Sequence, residues 1–285
     1  FFRSRRRIGR RRIFVPAGAG QKIHEIVVAR LVGVLQHIIQ VGRLQSVRRV
    51  LSGRGLFKHV RVAGEDSPGG HVFFLGIGVV QAAGYVLVVW LFAIRTDALT
   101  WRAMGWPTWR SARPGAILRA AATAAAVMLP VTFGLVIVGG IVGLLLGVDA
   151  PRVLPLSETP IDGLMVTLAA AIIIPVGEEI FFRGFALTAW LRDLDERSAL
   201  VRASLFFAVV HIANIAGVDF ATGLSQAVLQ MAVLIPVAFV LGWLFLRYGL
   251  AAAIAGHITY NALLLTLAYL ASLLPEPGDP GWPSA

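Results

Sequence analysis

From Val72 onward the chain repeats one pattern, an apolar run and then a short charged break. A bilayer core takes about 20 apolar residues in a helix. No water reaches backbone groups there, so only helices or closed barrels span it. Barrel strands would alternate apolar and polar residues, whereas these runs are continuous in Leu, Val, Ala and Ile. The expected fold class is therefore all-α, a polytopic transmembrane bundle of about six helices. The expected spans are 72–94, 120–147, 163–190, 203–216, 224–246 and 250–274. Only 14% of residues are charged, against about a quarter in a soluble domain. There is no cysteine, which excludes disulfides and thiolate metal sites and leaves His, Asp and Glu as the strong ligands.

The charge is unevenly divided. Of 26 Lys and Arg, 15 precede residue 71, where Glu25, Glu65 and Asp66 are the only acids; the remainder holds 11 bases and 12 acids. The organisation read from this is a basic segment 1–70, two helices with loops over 71–160, a polar-bearing core over 161–274 and a loose proline-rich tail 275–285. The basic segment reads as an arm on anionic lipid or nucleic acid, as a surface helix, or as sequence foreign to the functional protein. The last reading draws on Phe1 as first residue and Met104 as first methionine. No function is built on the segment, and no nucleic-acid partner is expected. Arg95, Arg102, Arg110, Arg113 and Arg119 mark their loop as cytoplasmic, and so does the mixed loop 192–202. Residues 148–162, with Asp149, Glu158 and Asp162 against one arginine, read as exterior. The basic segment then also falls outside, against the positive-inside tendency.

The core is organised around Ile174-Pro-Val-Gly-Glu-Glu-Ile-Phe-Phe-Arg-Gly-Phe185. Ionisable groups at membrane depth cost about 2.5–3.5 kcal/mol each on insertion scales and face an interior or a watery cavity. Glu179 and Arg183 stand at i and i+4 with the acid first, the favourable order for a pair. A buried structural pair clamping neighbouring loops is the expected role. Glu178, turned about 100° away, lacks that arginine as partner. Pro175 should kink the helix. Two further helices carry His211, and His257 with Asn261 at i+4 on one face. Counting residues from the cytoplasmic helix ends places Glu178, His211 and His257 at similar depth. A lone membrane histidine usually bonds a neighbouring helix, but two at matched depth with a free Glu and an Asn are a candidate site. Phe207 reads as packing, and Gly139, Gly140 and Gly143 as helix-packing positions.

Glu178-Glu179-x-x-x-Arg183, Phe207-x-x-x-His211 and His257-x-x-x-Asn261 together resemble the CPBP family of intramembrane proteases. That family includes the CAAX prenyl endopeptidases and the bacteriocin-processing or immunity (Abi) proteins. The resemblance covers about residues 160–273. It implies a catalytic cavity open to the cytoplasm, a water activated by Glu178 and His211, and an oxyanion held by His257 and Asn261.

The residue types suit that chemistry. Peptide hydrolysis needs a base for water and donors for the oxyanion. No serine or cysteine stands as an obvious nucleophile, so direct water attack is simpler. Cofactor expectations are none, or zinc through Glu178, His211 and His257; no H-E-x-x-H is present, and the reading leans to metal-free. The expected partners are the lipid bilayer and a membrane peptide or protein substrate. The Ala, Arg, Gly and Val bias points to a GC-rich bacterial genome, hence a bacterial cytoplasmic membrane, and disfavours prenylated substrates. Two other classes stay open: a non-catalytic immunity or scaffold protein, and a proton-coupled transporter using the same Glu and His.

Overall fold

The computed structural model describes residues 70–106, 113–148, 160–215 and 218–272. The basic segment up to residue 69 and the tail from 275 lie outside the described residues. Six helical passages cover the rest, without a strand among the described residues. They are α1 (Val72–Ile94), α2 (Pro114–Leu146), α3 (Pro160–Trp190), α4 (Glu196–His211), α5 (Phe220–Tyr248) and α6, which begins at Leu250 and ends at Ser272.

All but α4 are long and apolar enough to cross a membrane. This is one fewer spanning helix than expected: α4 runs over Glu196–His211 instead of 203–216, with charged first turns and an earlier end. Asp195 caps it by accepting from the backbone N–H groups of Arg197 and Ser198 at 3.0 and 3.2 Å, which satisfies helix-start donors. Glu196, Arg197 and Arg202 therefore belong to α4 and not to the loop, and the helix closes at His211 after 16 residues. Its apolar part is thereby too short to span alone. Asp219 caps α5 in the same way, through Ala221 and Thr222.

α3 is the central element. Its apolar window is 56% buried, against 11–44% for the other four spans. It packs on α1, α4 and α6. Closeness to α1 depends on Gly177, where a Cβ would stand 2.7 Å from Ala82 Cα, so no side chain fits without moving a helix. α3 is not uniformly α-helical: it widens to π-helix over Leu168–Ile173 and again over Ile180–Leu187. Pro175 lies just past the first widened stretch. Proline has no N–H and its ring clashes with the carbonyl four residues back, and the wider turn absorbs both. Pro130 and Pro236 sit inside continuous α2 and α5.

α2, α5 and α6 form the second packed group, around Met128, Val237, Leu241, Leu244 and Ala252. Outward residues such as Val80, Leu144 and Leu145 are more than 70% exposed. Such apolar outer faces suit lipid contact rather than water.

Candidate active site

The polar residues of α3, α4 and α6 meet at one place. Arg183, Glu179, Glu178 and His257 are all buried. Arg183 Nη1 donates to Glu179 Oε1 at 2.7 Å, and Nη2 donates to the Ala238 carbonyl of α5 at 3.2 Å. The same Glu179 oxygen accepts from His257 Nδ1 at 2.8 Å. The expected ion pair is therefore present, but it clamps helices α5 and α6 to α3 and not the loops. Glu179 Oε2 is enclosed without a hydrogen-bond partner among the described residues, so the carboxylate spends its bonding on one oxygen.

The bond to Glu179 also orients His257. A carboxylate only accepts, so Nδ1 carries the hydrogen and Nε2 turns to the cavity. Glu178 Oε2 stands 3.7 Å from that Nε2. On its other side Glu178 Oε1 stands 3.8 Å from His211 Nε2. His211 is oriented by the same logic, since its Nδ1 donates to the Phe207 carbonyl at 2.8 Å. One carboxylate thus faces two imidazole Nε2 atoms, each just beyond direct hydrogen-bond range. Asn261 Nδ2 donates to the Ala170 carbonyl, inside the first π-helical stretch of α3, at 2.8 Å. An amide nitrogen carries two hydrogens, so one remains for another acceptor.

Phe207 does more than fill space. Its ring lies 4.3 Å from the His211 ring and 5.9 Å from the His257 ring, centroid to centroid. The Arg183 guanidinium sits 4.5 Å over it, a favourable cation–ring contact. It also meets Phe182 edge-on at 4.9 Å. The signal was the i, i+4 spacing to His211, which alone could not show that this ring touches both histidines and the arginine. Gly177 was likewise missed as a positioning residue, since its constraint is the distance to Ala82.

A cavity of about 960 Å³ opens beside these groups, lined by Glu178, His211, His257 and Asn261 among mostly apolar side chains. Its wall continues to Phe74, Val148 and Asn214, at the helix ends remote from Arg95, Arg192 and Arg247. Two earlier expectations part here. The arginine-bearing ends read as cytoplasmic, while the resemblance implies a cavity on that same side.

Metal binding through Glu178, His211 and His257 needs three donors converging at about 2.0–2.2 Å on one point. Among the described residues no three His, Asp or Glu side chains form such a group. Glu178 offers one oxygen to each histidine instead of one oxygen to a shared centre. As placed here these three side chains do not form such a group, and no step is derived through an ion.

No curated protein and no solved structure gives a significant match to the chain. Residues 160–263 match the family model described as Rce1-like, type II CAAX prenyl endopeptidase Rce1-like, in agreement with a CPBP-family intramembrane protease.

Proposed function

We propose that the protein is an intramembrane endopeptidase that hydrolyses a peptide bond of a membrane-associated or lipidated substrate by glutamate-activated water. The observation that carries this is Glu178 held between the Nε2 atoms of His211 and His257, at 3.8 and 3.7 Å, on the wall of an apolar cavity. The spacing to His211 suits a water that donates one hydrogen to Glu178 Oε1 and the other to His211 Nε2. As the water oxygen attacks the carbonyl carbon, its proton passes to Glu178. The carbonyl oxygen becomes an oxyanion beside His257 and Asn261. Asn261 donates its spare amide hydrogen to it, and His257, held through Nδ1 by Glu179, lies on its other side. Collapse of the intermediate breaks the C–N bond, and Glu178 returns the proton to the leaving amine. Donors fixed in advance in a dry site act mainly on the transition state.

The residue roles and the metal-free scheme belong to this reading. Because the matched family model is that of a CAAX prenyl endopeptidase, its test is cleavage of an internally quenched prenylated peptide, beside the same peptide unprenylated, by the purified protein in detergent micelles. Cleavage that survives a zinc chelator supports the reading. A protein that binds the peptide and never cuts it would favour an immunity or scaffold role.

A further inference from the structure

Gln230 lies on α5 in the wall of the same cavity. Val233, Leu234 and Val237 line the cavity from the same helix; three, four and seven residues on, they share its face. Gln230 is thus the polar group on an apolar wall. Its Oε1 is enclosed and has no hydrogen-bond partner among the described residues. An enclosed carbonyl oxygen without a donor is unfavourable relative to a satisfied one. No fold contact of Oε1 explains a polar residue at this place.

The last torsion of glutamine is broad and nearly two-fold, so its amide turns toward the cavity at low cost. What would meet it can be estimated along the helices. α3, α4 and α5 follow one another through short connections, so α3 and α5 run in the same sense. The Arg183 to Ala238 contact sets a common level. Gln230 lies about 12 Å before Ala238 and Glu178 about 7 Å before Arg183, at about 1.5 Å per residue. Gln230 is therefore displaced from Glu178 by about 5 Å along the bundle. An extended peptide rises about 3.3 Å per residue. A chain cut at Glu178 would then pass the level of Gln230 one or two residues from the cut.

We propose that Gln230 is a substrate-binding residue whose amide hydrogen-bonds the substrate backbone next to the scissile bond. This rests on the endopeptidase reading. The test replaces Gln230 by methionine, of similar length but unable to make the bond, and follows cleavage of the quenched prenylated peptide together with thermal melting. Losing a bond made equally in the ground and transition states raises KM and leaves kcat alone. The expected result is a KM about three- to tenfold higher, kcat within about twofold and a melting temperature no lower than wild type. Unchanged KM would overturn the assignment, and so would a fall of several degrees in melting with a fall in kcat, which marks a structural residue. Failure of the wild-type protein to cut the peptide would instead strike the endopeptidase reading.

Discussion

Arg183→Ala separates the structural part of the polar cluster from the reactive part. Arg183 is 2% exposed, and three contacts depend on it: Glu179 at 2.7 Å, the Ala238 carbonyl at 3.2 Å and the Phe207 ring at 4.5 Å. Breaking a buried ion pair from one side leaves the other charge uncompensated, at about 3–5 kcal/mol. The lost ring contact, about 0.5–2 kcal/mol, and the lost carbonyl bond overlap with that figure, because neighbouring contacts do not add. A loss of about 4 kcal/mol is expected. For a chain of this size each kcal/mol lowers melting by about 2–4 °C, hence roughly 8–16 °C. Glu178→Gln provides the contrast. The histidine nitrogens that face it stand at 3.7 and 3.8 Å, too far for a bond that the fold would lose. Its melting should stay within about 3 °C of wild type. Fluorescence-monitored melting of the purified variants in one detergent decides the matter. An Arg183→Ala protein that melts with wild type, or a Glu178→Gln protein that falls as far, would refute the division of roles.

Asn261→Ala should lower kcat by about 10²–10³ with little change in KM, as for one lost oxyanion donor. Asn261→Asp should also impair cleavage because a carboxylate repels an oxyanion; tolerance of that change together with chelator inhibition would point to a metal instead. The cap of α4 gives a pH test. The Ser198 hydroxyl, then the backbone N–H groups of Ser198 and Arg197, hold the Asp195 carboxyl below the usual range. A depressed folded pKa gives stability that is present above the unfolded value of about 3.9 and is lost as pH falls through the folded one. The melting difference between wild type and Asp195→Ala should persist at neutral pH and vanish below that window; a difference independent of pH would contradict it.

Much of this was legible in the chain. Apolar runs bounded by arginines located the five long helices, and α1 over Val72–Ile94 matches its expected limits. The i, i+4 order of Glu179 and Arg183 announced their pair. The start of α4 was hidden because Arg197 and Arg202 look like loop residues, and the capping carboxylate Asp195 sits among other charges. The contacts across the site were not legible, because helical spacing relates residues of one helix only. That Glu179 serves His257 as well as Arg183, and that Phe207 touches both histidines, depends on how α3, α4 and α6 pack. The direction of the cavity was hidden for a related reason: depth counted from one end of a helix does not say toward which end the space opens.

The central claim is that Glu178 is the base that activates water. Its most direct test is the cleavage rate of the quenched prenylated peptide by Glu178→Gln, measured beside wild type at a temperature where both are folded. The account predicts cleavage reduced to background with melting unchanged, because an amide cannot take the proton from water at that position. Cleavage by Glu178→Gln at a rate near wild type would contradict it.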